Sequence, residues 1–332
     1  MSMMIPEPLV SICIPTYNQA KFIMDALNSV LKQQYKNIEI IVVDDCSVDG
    51  TFEIVSKFSD TATNISVYRN KNNIGMVKNW NRCLELAKGK YVKFVFGDDL
   101  LCSNDAVSTM VQLMEASKSI SLVSSARKII DENSSNVTTV SAFEKNFVSD
   151  GKLVIVNCLH SITRTHNPIG EPTAVMFRKE SASRGFSEKY NQLVDIEMWF
   201  HLLEQGDFAY ISTPLCSFRE HSGQQTKKNI QSLGFIDDLL SLFDDYLEKT
   251  YVAMGNCDRA YMRYYQLYKL LKHAKQGKYD LDTVNNKIDR VYGRKKFDRM
   301  LFFYRIYSPY WNIRRKLEAF FSRSNNCRSV DI

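Results

Sequence analysis

The chain has 332 residues, 45% of them hydrophobic and 24% charged, enough apolar surface for packed domains, which excludes disorder as its main state. Only 13 Gly and 7 Pro exclude collagen-like and low-complexity classes. The formal charge of +6 is uneven: residues 285–332 carry 12 basic and 4 acidic side chains, leaving 31 against 33, or −2, for residues 1–284.

No run of 18 or more apolar residues occurs, so no membrane-spanning helix is expected. Met1 to Pro8 lacks the basic-then-apolar pattern of a secretory signal. Eight cysteines, at 13, 46, 83, 102, 158, 216, 257 and 327, form no C-x-x-C pair and mostly sit in apolar segments. They read as buried reduced thiols, which points to a cytoplasmic protein without a zinc or disulfide framework.

In chain order, Leu9 to Ile14 is a short β-branched apolar run closed by Pro15, the pattern of a buried strand. Phe22, Ile23, Ala26, Leu27, Val30 and Leu31 then recur at helical spacing. Ile38 to Val43 is a second strand, ending at Asp44-Asp45, and the alternation repeats: a helix over 51–58, a strand over 65–68, and a helical stripe from Met76 to Ala87. Tyr91 to Phe96 is a strand ending at Gly97-Asp98-Asp99, followed by a helix over about 104–117 and a strand over 120–124. Residues 131–170 read as a polar excursion with weak strand signals, and 168–172 as a turn before a strand at 173–177. Helices are expected over 194–203, 235–247, 260–273 and much of 295–322. Strands alternating with helices of this length specify a parallel sheet covered on both faces.

Polar residues gather where these strands end. In open α/β sheets, ligands bind beyond the carboxyl ends of the strands. Thr16-Tyr17-Asn18, Asp44-Asp45 and Asp98-Asp99 each follow a strand directly, so three distant segments are expected to converge on one site. Two carboxylates at a strand terminus can hold Mg2+ or Mn2+, hard cations that favour oxygen ligands and bridge to phosphates. An Asp pair in a loop is also ordinary turn or cap chemistry, but its place after a fully apolar strand favours the functional reading. In the segment 44–51, an aspartate could accept a hydrogen bond from a base N–H, while Ser47, Asp49 or Thr51 could cap the helix that follows. His221 lies in a polar loop, where it could contact a metal or diphosphate; Arg219 could pair with a phosphate or with a structural carboxylate.

In order and spacing, these motifs resemble the family 2 glycosyltransferases. The matching segments are Ser11 to Asn18, Glu39 to Asp45 with Ser47 and Asp49-Gly50-Thr51, Asn70 to Gly75, Ala87 to Val92 leading into Gly97-Asp98-Asp99, Asp195 to Trp199, and Phe218 to Gln224. The resemblance covers about residues 8–226. It implies an α/β fold of the GT-A type: a Rossmann-like, mostly parallel sheet with helices on both faces. A catalytic domain over 1–226 would precede a helical, basic aromatic extension over 227–332. It further implies transfer of a sugar from a nucleotide-diphospho-sugar, a UDP-sugar in this reading, to a carbohydrate or lipid-linked saccharide, with inversion, in cell-surface polysaccharide synthesis.

By the same resemblance, Pro15, Thr16, Tyr17, Asn18, Asp44, Asp45, Asn73, Gly75, Asp98 and Arg219 would bind the nucleotide-sugar. Asp98, Asp99 and His221 would hold Mn2+ or Mg2+, and Asp195 would be the catalytic base. Three positions depart from the family pattern: Phe96 stands where many members have a further Asp, Val194 where Glu commonly precedes the base, and His201 where a polar cationic residue often follows the Trp-containing helix segment. A sugar nucleotidyltransferase is the competing enzyme reading, but Pro15 to Ala20 contains no Gly for a phosphate loop. A non-catalytic sugar-nucleotide or polysaccharide-binding scaffold is the competing non-enzyme reading, prompted by Phe96. The aromatic and basic residues between Phe297 and Trp311 suit either an amphipathic helix packed on the protein or an interfacial helix on anionic lipid. Nothing besides that segment points to nucleic acid as a partner.

Overall fold

The computed structural model describes residues 7–60, 62–162, 167–224, 233–325 and 328–329. Eleven described strands form one sheet, and the chain divides into two compact units. Unit 1 comprises 1–155, 167–224 and 328–332, and unit 2 comprises 156–166 and 225–327.

Unit 1 begins with β1 (Val10–Thr16), every residue of which is buried. Successive side chains point to opposite, covered faces, so the run is mostly apolar, with buried Ser11 and Thr16 its polar members. Ile12 and Ile14 pack in a cluster with Ile23, Ala26, Leu27 and Val30 of α1 (Ile23–Leu31). Cys13 points the other way, its Sγ donating to the carbonyl of Cys83 at 3.6 Å in α3 (Met76–Leu86). The sheet is therefore sandwiched by helices. β2 (Ile38–Asp44), β3 (Ile65–Arg69) and β4 (Tyr91–Phe94) join β1 in parallel in the order β3-β2-β1-β4, with α2 (Thr51–Ser59) between β2 and β3.

The second half of the sheet is mixed. β5 (Leu100–Leu101) and α4 (Ala106–Ala116) lead into β6 (Ile120–Ile130), which is longer than its apolar start indicates. β6 is followed by β7 (Asn136–Val140), β8 (Phe147–Ser149) and α5 (Gly151–Ile162). β9 (Val175–Arg178) runs antiparallel to both β4 and β6. After α6 (Val194–Leu203), the 13-residue β10 (Asp207–Arg219) pairs in parallel with β6 and antiparallel with β8. The parallel half is as the alternation specifies; β10, absent from the sequence reading, brings Arg219 back to the strand ends. The seven described cysteines are all free thiols.

Unit 2 is helical. It holds α7 (Gly234–Tyr246), α8 (Asn256–Lys275), α9 (Leu281–Val291) and α10 (Arg294–Asn325). Leu233, Ile236, Tyr264, Leu267, Leu270, Val284, Ile288 and Phe297 form its core. Tyr261, Tyr264 and Tyr268 of α8 stack around Tyr304 of α10. α9 starts at Asp280, whose side chain accepts from Thr283 N at 2.7 Å, an ordinary N-cap. No helix among the described residues is long and apolar enough to cross a membrane.

Candidate active site

The strand ends converge as expected. The loop after β1 is stitched to the loop after β2: Asn18 N donates to Ser47 Oγ at 2.9 Å and Val48 N to Asn18 Oδ1 at 2.9 Å. Gln19 N donates to Thr51 Oγ1 at 2.8 Å and Ala20 N to Asp49 Oδ2 at 2.9 Å. Asn18 adopts φ 53°, a left-handed conformation that Asn tolerates better than most residues. Asp49 also accepts from Thr51 N at 3.0 Å, satisfying the first N–H of α2, although the N-cap position itself is Gly50. Pro15 and Thr16 are buried in the strand end and Tyr17 is exposed.

The two aspartates ending β2 differ. Asp45 is fully engaged, accepting from Asn70 Nδ2 at 2.6 Å, Ile74 N at 2.9 Å and Gly75 N at 3.0 Å. It thereby holds the 70–75 loop, in which Asn73 Oδ1 also receives Gly75 N. Gly75 sits at φ +91° and ψ 158°, backbone that only glycine readily adopts. Asp44 is wholly buried: Oδ2 accepts from Ser47 N at 2.9 Å and lies 3.6 Å from Arg69 Nε. Its Oδ1 is buried with no hydrogen-bond partner among the described residues. A buried carboxylate oxygen without a donor is costly, and a ligand N–H would remove that cost.

The Asp98-Asp99 turn also splits. Asp98 Oδ2 lies 3.0 Å from His221 Nε2, with both side chains partly exposed, at 16% and 13%. A carboxylate oxygen and an imidazole nitrogen at this spacing can serve as two ligands of a hard or borderline cation. Asp99, by contrast, turns inward. It is buried, with Oδ2 accepting from Thr173 Oγ1 at 2.6 Å and Oδ1 from Arg219 N at 3.0 Å. Burial and the adjacent Asp98 push its carboxyl well above the ordinary aspartate range. Asp99 therefore braces the turn where a metal ligand was expected. Gly97 packs closely beside it: a Cβ there would meet Gln19 Oε1 at 2.0 Å, and the Gln19 side chain would have to move. Among the described residues, no three of His, Cys, Asp and Glu come together as a preformed metal cage.

Arg219 is placed differently from the phosphate contact expected of it. Its side chain is fully buried, with Nε donating to the carbonyl of Asp98 at 2.8 Å, Nη1 to Ser134 Oγ at 2.9 Å and Nη2 to Asp25 Oδ2 at 2.9 Å. The guanidinium also lies 4.7 Å from the centre of the Phe22 ring, which packs on His221 at 5.0 Å. Five donors in a rigid plane suit this bracing role: Arg219 fixes the backbone of Asp98 from below.

Asp195 lies in the first turn of α6. Its Oδ1 accepts from Ile196 N at 2.8 Å and its Oδ2 from Asn167 Nδ2 at 3.3 Å. Burial raises its carboxyl to about 7, with the charge of Glu171 adding to the rise and Arg127 opposing it. A carboxyl titrating near neutrality suits general acid–base work. Four residues absent from the sequence reading now join the site: Arg69, Arg127, Asn167 and Glu171. Arg69 ends a strand, a signal that could have found it; the others lie in β6 and in a turn whose partners are remote in sequence.

A mixed sheet with polar strand ends, a buried aspartate oxygen unpartnered among the described residues, a partly exposed Asp–His pair and a carboxyl raised to about 7 make a site suited to holding a polar ligand and moving a proton. The model of "Glycosyl transferase family 2" matches residues 11–183, and the chain belongs to that family. It is 32% identical over 224 residues to an uncharacterized protein of Mycobacterium tuberculosis, covering 65% of this chain and 68% of that protein. It is 28% identical over 204 residues to a putative teichuronic acid biosynthesis glycosyltransferase, TuaG, of Bacillus subtilis, covering 61% and 75%. Among solved structures, S. aureus TarS 1-349 in complex with UDP-GlcNAc aligns with TM-score 0.61 and 21% identity over 80% of this chain and 73% of that one. Mannosyltransferase PcManGT from Pyrobaculum calidifontis, in complex with GDP-Man and Mn2+, aligns with TM-score 0.54 and 17% identity over 85% and 87%. These likenesses establish the GT-A fold. Family membership makes the chain a glycosyltransferase rather than a nucleotidyltransferase.

Proposed function

We propose that the enzyme transfers a sugar from a UDP-sugar to a saccharide hydroxyl with inversion, in the synthesis of a cell-surface polysaccharide. The observation that carries the donor reading is Asp44 Oδ1, a buried acceptor lacking a donor. Uracil presents one ring N–H between two carbonyls, and Arg69, 3.6 Å from the same carboxylate, can donate to one of them. The TarS complex with UDP-GlcNAc and the role in TuaG's name support this direction.

Asp98 and His221 fit Mn2+ or Mg2+, since together they offer one oxygen and one nitrogen and leave other positions to diphosphate oxygens. When bound, the cation supplies charge stabilisation for the departing diphosphate. The chain's own residues do the rest. Thr173 and Arg219 hold the Asp98-Asp99 turn in place. Asn167 orients Asp195, which takes the proton of the attacking hydroxyl; the displaced bond lies opposite, so the anomeric centre inverts. On the C-terminal helix, Phe302, Ile306 and Tyr310 are exposed at successive turns of α10. Lys295 and Arg299 are exposed on the same helix. This face fits peripheral contact with an anionic membrane, where a lipid-linked acceptor would lie.

The test is calorimetric titration with UDP, GDP and their sugars, with and without Mn2+. A uridine preference that Asp44→Asn abolishes is the expected result; equal affinity for guanosine ligands, or no effect of the substitution, would overturn the donor reading.

A further inference from the structure

The segment 167–173 links the two halves of the site. At its start, Asn167 uses its Oδ1 to accept from Ile169 N and Gly170 N, both at 3.0 Å, and its Nδ2 to donate to Gly170 O at 3.0 Å and to Asp195 Oδ2 at 3.3 Å. Trp199 Nε1, from α6, donates to the same Gly170 carbonyl at 3.0 Å. At its end, Thr173 Oγ1 donates to Asp99 Oδ2 at 2.6 Å and accepts from Phe96 N at 3.2 Å. The buried Lys93 Nζ donates to the Thr173 carbonyl at 2.6 Å. One end is thus tied to Asp195 and the other to the Asp98-Asp99 turn.

Glu171 stands between those ties. Arg127 of β6 donates through Nη2 to its Oε1 at 3.1 Å, while Arg127 Nε lies 2.5 Å from Oε2 as an ion-pair contact without hydrogen-bond geometry. Arg127 is 9% exposed while Glu171 is 27% exposed, but Glu171 Oε2 itself is buried and has no hydrogen-bond partner among the described residues. In sequence Glu171 lies between Asn167, which donates to Asp195 Oδ2, and Thr173, which donates to Asp99 Oδ2, and its negative charge raises the carboxyls of both aspartates. Val194, where the family commonly has a carboxylate, is buried and apolar.

We propose that Glu171, held by Arg127, is a specificity-determining residue whose carboxylate accepts hydrogen bonds from hydroxyls of the transferred sugar. The position follows from the proposed reaction, on which this inference rests: the sugar must lie between the diphosphate at Asp98 and the acceptor oxygen at Asp195. A carboxylate held by one guanidinium hydrogen bond and an ion-pair contact, with Oε2 still lacking a donor among the described residues, is oriented before the ligand arrives, and a site built to receive a hydroxyl discriminates strongly against sugars that lack it there.

The test compares two ligands on the same full-length protein: UDP, which lacks the sugar, and the best-binding member of a panel containing UDP-GlcNAc, UDP-glucose and UDP-galactose, all with Mn2+. In Glu171→Ala, the Kd for the UDP-sugar should rise at least about tenfold, as expected for a hydrogen bond to a charged acceptor, while the Kd for UDP stays within about twofold. Glu171→Gln keeps the side-chain volume and an acceptor for Arg127, and guards against a folding defect. It should show the same split, and it should also lower the pH midpoint of the acidic limb of activity, because Glu171 and Arg127 are the charged groups acting on Asp195 and the one opposing its ionisation is gone. Equal weakening of both ligands would reduce Glu171 to a structural role, and unchanged affinities would remove it from the site. If the wild-type protein binds neither UDP nor any UDP-sugar, the donor reading fails, and this inference falls with it.

Discussion

In the proposed reaction Asp195 is the base, and its carboxyl would then set the pH dependence. Burial raises it from 3.8 to about 7, and the base must be ionised to accept a proton. At pH 6 about one tenth of the enzyme then carries an active base, and at pH 5 about one hundredth. Measured at saturating Mn2+, kcat/KM for the acceptor should climb about tenfold per pH unit between pH 5 and pH 6, bend near pH 7 and level off above. Asp195→Asn should flatten that limb and lower kcat by about 10²–10⁴-fold, equivalent to about 3–5 kcal/mol of transition-state stabilisation. Donor affinity by calorimetry should stay within about twofold. A limb that bends near pH 4, or an Asn variant within tenfold of the wild-type rate, would refute the assignment.

Three further outcomes follow from the geometry. Asp98→Asn and His221→Ala should each weaken Mn2+-dependent UDP-sugar binding about tenfold or more in calorimetry. The double variant should lose little beyond the worse single one, because both act through one cation; full additivity would mean they serve separate sites. Arg219→Ala removes a wholly buried cation from beneath Asp98 and should cost about 3–5 kcal/mol, at least about 6 °C in Tm. Lys should not restore it, since it lacks the planar fork that reaches three partners; a melting point within 2 °C of wild type would show the bracing to be dispensable. The triple substitution Phe302→Ser, Ile306→Ser, Tyr310→Ser changes only exposed side chains, so it should leave Tm unchanged while abolishing co-sedimentation with anionic vesicles. Undiminished co-sedimentation would remove the membrane contact from this face.

What the sequence revealed, it revealed through local pattern. β1, β2 and β4 are apolar apart from Ser11, Glu39 and Lys93 because helices cover both their faces, and the polar residues that end them had to fall at one edge of the sheet. β10 was hidden for an equally physical reason: register shifts at Ile211, Pro214 and Cys216 break the alternation on which strand reading depends. α5 disappeared into what read as a polar excursion, although Leu153 to Leu159 is largely apolar. The roles of neighbouring carboxylates were not legible at all. Asp98 faces out and Asp99 faces in because Thr173 and Arg219, 74 and 120 residues further along the chain, take both oxygens of Asp99. Asp44 and Asp45 are sorted likewise, by Ser47 on one side and by the 70–75 loop on the other.

Phe96 shows how far a departure from a family pattern can be settled by packing. Its ring meets Trp80 at 5.0 Å, and Trp80 in turn packs on Phe94 and Phe186. A carboxylate at this position would face an aromatic cluster and lose hydration without gaining a partner. The same turn already carries two acids, one raised by burial and by the other's charge, so a third would face repulsion as well as desolvation. Phe96→Asp should therefore lower Tm and leave Mn2+ affinity no tighter than wild type. In the proposed metal site Asp98 and His221 would serve without a carboxylate at position 96; tighter Mn2+ binding in the Asp variant, at unchanged Tm, would show instead that the aromatic ring merely occupies a ligand's place.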